Sequence, residues 1–260
     1  MEENEKKEKY YHIASLEKGL RVLEVLSNEK EMSVSAVAKK LGYNRAASHR
    51  FLSTLKDLGY VDKNEDNSYY LTLKVLELGM KVANRMEIRQ VARPFMQELA
   101  SAFDETVNLG YFDGQDILHL DKIDSSEILR IDTPLGSHAP AYCTALGKAI
   151  LAHQDKEDLD AYFNRTKLKN VSPKTIVSRK ALKQEFIGIK EKGVAYDNEE
   201  LATGLCCVAA PVFDHTGKCR YAISVSGPSM RLDNRKMENI SKRIKEVTAR
   251  LAEKMGKPRA

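Results

Sequence analysis

A chain of 260 residues, 42% hydrophobic and 30% charged, is long enough for two domains with cores of their own and has the make-up of a soluble globular protein. It contains no run of about 18 apolar residues, so no membrane-spanning helix is expected, and the N-terminal MEENEKKEKYYHI lacks the apolar stretch of a secretory signal. The net charge of +5 is too small to implicate nucleic acid until its placement is known, and four cysteines without C-x-x-C spacing (Cys143, Cys206, Cys207, Cys219) read as reduced thiols of a cytoplasmic protein.

Residues 1–12 mix Glu and Lys with almost no core-forming side chains and read as a disordered arm. A helix is expected from Ser15 to about Ser27–Asn28, with Leu16, Leu20, Leu23, Val25 and Leu26 as its apolar stripe. The stretch Ser33–Tyr60 then reads as two short helices about a tight turn. Ser33 is placed to cap the first, Val34, Val37, Ala38 and Leu41 recur at helical spacing, and Gly42 stands where a helix wants a left-handed residue. Asn44 caps the second helix, whose inner stripe is Ala47, Ser48, Phe51, Leu52 and Leu55. Its outer face carries Arg45, Ala46, His49, Arg50, Ser53 and Lys56. Between Lys39 and Lys56 the chain holds five basic residues and no acid, although acids and bases nearly balance elsewhere. Two aromatic and β-branched runs about a polar turn follow in Tyr60–Leu73, the pattern of a wing. The alternative is a helical hairpin with a solvated charged face. The combination points to a winged helix-turn-helix over 13–71 whose second helix enters the major groove of double-stranded DNA.

A linker helix over 72–86 carries Leu73, Leu76, Met80 and Ala83 on one side, fit either for a core or for a second copy of itself. The remainder, 87–260, opens with a helix at Ile88–Phe103 in which Pro94 marks the start of the regular part. Strands are expected at Thr106–Phe112, Ile117–Ile123 and Glu127–Asp132, then a loop through Pro134 and Gly136 and a helix at Tyr142–His153. Helices at Asp155–Phe163 and Arg179–Lys192, strands at Gly193–Asp197, Leu205–Phe213 and Lys218–Ser226, and a closing helix at Asp233–Met255 complete it. Strands joined by tight turns with helices in blocks give an α+β fold, an antiparallel sheet flanked by helices.

In the last strand Ile223 and Val225 alternate with Ala222, Ser224 and Ser226, so one face is core and the other small and hydroxylated. Cys207 and Ala209 line the same space from the neighbouring strand, and Asp197 ends the strand before. The segment AYCTALGK opens the helix at Tyr142–His153, where unpaired N–H groups attract a carboxylate and small residues permit close approach. A half-solvated sheet face and tight helix-on-sheet packing are the competing readings. Cys143 near a helix start, with His138 close in sequence, raises a thiol enzyme. Cys206, Cys207, Cys219, His119, His138 and His215 raise a metal or thiol sensor, although Cys206 and Cys207, adjacent on a strand, face opposite ways. Neither has a compact motif, and no metal or cofactor is expected.

Three groups of segments resemble the IclR family of bacterial transcription regulators: SLEKGLRVLEVLS; LGYNRAASHRFLSTLKDLGYV; and YCTALGKAIL with YDNEELATGLCCVAAPVFD and ISVSGP. The resemblance spans residues 13–255. It implies a winged helix joined by a linker helix to a GAF-like effector domain, assembly as a dimer or dimer of dimers, and a palindromic operator. It implies an effector site at Ala145, Leu146, Asp197, Leu205, Cys207, Ser224 and Ser226, with Ile128 and Ile131 as an apolar wall, for a small organic effector, which the helix-start reading makes a small acid. The family often has Ser-Thr where Ala46–Ala47 stand here, so Arg45, Ser48 and His49 are left to carry more of the base contact. Arg50 takes a phosphate or structural role, and Ser33, Asn44 and Lys56 complete the DNA-facing set.

Overall fold

The computed structural model describes residues 12–256, without the side chains of 83–85. The arm expected over 1–12 lies outside the described residues except for His12, as does the side chain of Ala83. The chain divides into two compact units at Arg85/Met86.

In the first unit, α1 (Ala14–Ser27) buries Val22 and Leu26. The expected stripe holds only in part, because the helix meets its neighbours through its C-terminal half and leaves Leu16 and Leu20 exposed. Helix α2 (Val34–Leu41) starts where the Ala36 N–H donates to Ser33 Oγ at 3.3 Å, and ends at Gly42 with φ +68°, a conformation costly for a residue with a Cβ. Helix α3 (Arg45–Asp57) is capped by Asn44, whose Oδ1 accepts from the Ala47 N–H at 2.7 Å. Val22, Leu26, Val37, Leu52 and Leu55 meet beneath the wing, built from β1 (Val61–Lys63) and β2 (Tyr69–Leu71) paired antiparallel. Each such fully buried side chain contributes about 1.5–3 kcal/mol. Met32 and Tyr69 exchange backbone hydrogen bonds at 2.9 and 2.8 Å, which ties the α1–α2 connection to the wing. Helix α4 (Leu73–Arg85) leaves its apolar side uncovered, with Leu73, Leu76 and Met80 79%, 58% and 45% exposed; it is not a core helix of this unit.

The second unit begins with α5 (Glu87–Phe103). Pro94 sits inside it rather than opening it, since Ile88, Ala92, Met96 and Leu99 hold the helix against the sheet on both sides of the proline. The sheet has six strands, β3 (Thr106–Phe112), β4 (Asp116–Ile123), β5 (His138–Pro140), β6 (Ala195–Asn198), β7 (Leu205–Phe213) and β8 (Cys219–Pro228). All pairs are antiparallel, in the order β5-β4-β3-β8-β7-β6. One face packs Val107, Leu109, Val208, Val212, Ile223 and Val225 against α5 and the closing helix α9 (Asn234–Lys254). The other packs Ala195, Ala209 and Ala222 against α6 (Ala145–Leu151), α7 (Lys156–Arg165) and α8 (Arg179–Lys192).

Two expectations fail here for identifiable reasons. Glu127–Asp132 forms no strand: β5 already occupies the outer edge of β4, pairing Asp116 with Pro140 and Leu118 with His138. The segment is held instead as a loop, through Asp104 to Ser126 and Lys122 to Asp132. The helix expected over Tyr142–His153 is broken. Ala141–Cys143 forms a 3-10 turn, Thr144 is extended, and α6 starts only at Ala145, with Thr144 Oγ1 accepting from the Gly147 N–H at 3.1 Å. A Cβ on Gly147 would lie 2.1 Å from the Ala141 carbonyl oxygen, so the close approach of this turn to α6 requires glycine.

Candidate functional site

On the first unit, Arg45, Ala46, His49 and Arg50 stand together on the exposed face of α3. Among the described residues no acid pairs with Arg45 or Arg50, whereas Lys56 reaches Asp62 of the wing at 3.0 Å and Lys40 reaches Glu29 at 2.9 Å. Unpaired guanidinium groups beside an exposed methyl form a surface that can meet phosphates, base edges and a thymine methyl. Ser33 and Asn44 spend their side-chain oxygens on the helix caps. Ser48 does not belong to this face: it is fully buried, and its hydroxyl donates to the Asn44 carbonyl at 3.1 Å. Its helical phase, with Leu52 and Leu55, directs it inward.

On the second unit, the inner sheet face lines a cavity of about 230 Å³. The strand register sets its floor. Asp197 lies opposite Cys207, and Cys207 opposite Ser226; Ala209 lies opposite Ser224, and Ser224 opposite Asn108; Gly110 lies opposite His119. Thr144, Ala145 and Leu146 at the start of α6 form one wall, and Leu201 and Leu205 another. Ile131, Asp132, Thr133, Pro134 and Ser137 of the loop after β4 close over it. Of the residues anticipated for this space, Ala145, Leu146, Asp197, Leu205, Cys207, Ser224, Ser226 and Ile131 line it. Ile128 does not: it is 99% exposed, because its segment is a surface loop rather than a strand.

Asn108, His119, Thr144 and the loop residues around Pro134 were not anticipated. A lone Asn two residues from Gly110, in a strand otherwise apolar, is a signal that alternation makes readable. His119 shares its side of β4 with Ile117 by simple alternation, and a β-bulge lies just beyond it. The pairing slips between Leu109 and Gly110, so Leu109 faces Asp121 while Gly110 faces His119. Asp121 is thereby turned to the helix face, where Arg93 donates to it at 2.9 Å, while His119 keeps its place on the cavity.

The polar groups of this space are only partly satisfied. Asp197 Oδ1 accepts from the N–H groups of Glu200 and Leu201 at 2.7 and 3.3 Å, while its Oδ2 is buried without a hydrogen-bond partner among the described residues. Burial pushes this carboxyl up to about 6, against those two N–H groups and Lys148, which favour the charge. Behind the wall, Lys148 is fully buried on α6 and paired with Glu185 at 2.5 Å and with Glu200, whose own carboxyl burial pushes up to about 7. Ser224 and Ser226 hydroxyls lie 3.2 Å apart, and Asn108 Nδ2 donates to Ser226 Oγ at 3.4 Å. His119 is held neutral at pH 7, burial having pushed it down to about 4 with help from His138. Among the described residues no lysine or arginine lines the cavity. Cys206 and Cys207 face opposite sides of the sheet. Cys143 is pushed up to about 12, first by burial and then by Asp197 and Glu200, which leaves a protonated thiol.

The pattern of the IclR helix-turn-helix domain matches residues 15–65, and that of the bacterial transcriptional regulator IclR C-terminal domain matches residues 80–253. The chain belongs to the IclR family. Within it, the HTH-type transcriptional regulator KdgR of Escherichia coli is 31% identical over 245 residues, 94% of this chain and 93% of that one. The crystal structure of the Thermotoga maritima IclR, also 31% identical, covers 94% of this chain and 100% of that chain with a TM-score of 0.77. An IclR homologue from Microbacterium hydrocarbonoxydans complexed with 4-hydroxybenzoate, 18% identical, shares the fold at a TM-score of 0.82 over 93% of this chain and 99% of its own. Like its IclR relatives, the chain is a DNA-binding transcription regulator with an effector-binding C-terminal domain. Among the described residues no helix is long and apolar enough to cross a membrane.

Proposed function

We propose that this IclR-family regulator reads an operator with the Arg45–Arg50 face of α3, and that a small organic effector held in the cavity between α6 and the Ser224/Ser226 face changes that affinity. The observation that carries the reading is the concave, partly polar space itself. A space of about 230 Å³ lined by buried, incompletely bonded polar groups is the kind of site a small polar molecule occupies. A small acid is a natural occupant, its carboxylate at the leading end of α6 and its other oxygens on the serine hydroxyls. The protonated Cys143 thiol favours this over a cysteine-dependent reaction in the same place.

The reading includes assembly in the cytoplasm as a dimer or dimer of dimers on a palindromic operator. One winged helix contacts too few bases for a useful specificity, and two-fold sites mirror two-fold proteins. The uncovered apolar side of α4 supplies a surface for such pairing.

A thermal-shift screen of small organic acids on the full chain, followed by operator binding with the hit, tests the proposal. The hit should shift operator affinity in the wild type and not in Ser226→Leu, whose larger side chain fills the cavity. A full response surviving in Ser226→Leu moves the effector elsewhere.

A further inference from the structure

Three buried side chains leave a polar atom unpartnered on the same cavity. Asp197, Asn108 and His119 are 0%, 2% and 8% exposed, and Asp197 Oδ2, Asn108 Oδ1 and His119 Nδ1 have no hydrogen-bond partner among the described residues. An orphaned buried polar atom is destabilising, a penalty that a visiting molecule able to pair with it removes. Two of the three can only accept. A carboxylate oxygen has no proton to give, and Asn108 has turned its amide nitrogen to Ser226, which leaves its carbonyl oxygen to the cavity. The neutral imidazole of His119 can pair with a hydroxyl in either tautomer.

We propose that the cavity selects a polyhydroxylated ligand, an alditol or aldonic acid rather than a plain alkanoic or aromatic acid, and that Asp197, Asn108 and His119 determine this choice by pairing with its hydroxyl groups. The inference rests on the effector reading above and narrows it. A carboxylate placed against Asp197 Oδ2 meets like charge, and the nearby cation Lys148 is already paired with Glu185 and Glu200. Hydroxyl donors satisfy all three atoms without adding charge. The acceptors also stand on both sides of the serine pair, Asp197 on β6 and Asn108 and His119 on β3 and β4, with β7 and β8 between. The hydroxyls they read are therefore spread along the ligand rather than gathered at one end. His119 shares the cavity side of β4 with Ile117, two residues before it, and Gly110 opposite adds no side chain to the space.

The test is calorimetric titration of the full chain with short alditols, aldonic acids and the alkanoic acids of equal chain length. The polyhydroxylated members should bind about tenfold or more tighter than their deoxygenated counterparts, the equivalent of one or two well-made hydrogen bonds. Asn108→Leu and His119→Phe, each checked for folding by circular dichroism, should narrow that ratio by weakening the hydroxylated ligand and not the alkanoic acid. If alkanoic acids bind as tightly as hydroxylated ones, and Ser226→Leu abolishes both, this inference falls while the effector site stands. If no member of the panel binds, the polyhydroxylated class is likewise refuted. Binding that persists undiminished in Ser226→Leu refutes the effector site itself.

Discussion

Replacing Asp197 by asparagine sets stability against response. The asparagine oxygen keeps accepting from the Glu200 and Leu201 amides, so the turn after β6 is preserved. What disappears is a buried charge. Burial raises the Asp197 carboxyl from 3.8 to about 6, so the folded chain binds its proton more tightly than the unfolded chain does. Wild-type stability is therefore complete below about 4, declines as pH rises toward 6, and carries the full penalty above it. At 1.36 kcal/mol per pH unit the penalty is about 3 kcal/mol at pH 8 and about 1 kcal/mol at pH 4.5. Asp197→Asn escapes it and also relieves Glu200, whose carboxyl Asp197 helps to raise. The variant should unfold about 6–12 °C higher at pH 8, with much of that gain gone at pH 4.5. It should bind effector more weakly, having replaced an acceptor by an amide donor. Differential scanning calorimetry of the full chain at the two pH values measures the first effect and titration the second. A stability gap that is the same at both pH values, or a variant less stable than wild type at pH 8, refutes the reasoning.

Three further outcomes are expected. Arg45→Ala should lose about 1–3 kcal/mol of discrimination between operator and scrambled duplex if it reads a guanine, whereas Lys56→Ala, already engaged by Asp62, should weaken both alike or not at all; fluorescence anisotropy across a salt series separates them. Gly147→Ala places a methyl against the Ala141 backbone and should cost about 1–3 kcal/mol or more, read as a lowered midpoint in urea. Light scattering should give the wild type a mass above the 29.3 kDa of one chain and Leu76→Glu a mass near it; a wild type already at 29.3 kDa, with and without operator, removes α4 as an interface.

The parts legible in the sequence are those decided locally. Ser33, Gly42 and Asn44 announce the ends of α2 and α3 by their own chemistry, and Arg179–Lys192 and Leu205–Phe213 fall where periodicity puts them. The small hydroxylated face of β8 was readable by counting in twos, while Ala145, Leu146 and Leu205 came from the family resemblance. What escaped was decided by neighbours distant in the chain. Glu127–Asp132 has strand-like residues, but its edge was taken by β5, too short to show a pattern. Lys148 reads as a solvated helix residue and is buried only because Glu185 and Glu200, 37 and 52 positions away, meet it there. Leu16 and Leu20 have the phase of a core stripe with nothing of their unit to cover them.

The bulge in β4 has a consequence for how this cavity is free to evolve. Adding or removing one residue in a regular strand turns every side chain beyond that point to the wrong face. Here one residue is already surplus to the ladder, so the two halves of β4 are uncoupled in phase. Deleting Leu120 would straighten the strand and leave His119 toward the cavity and Asp121 toward Arg93, at the expense of one half-buried leucine. The ligand-facing half can therefore change its residues, and the strand its length by one, without disturbing the half that anchors α5.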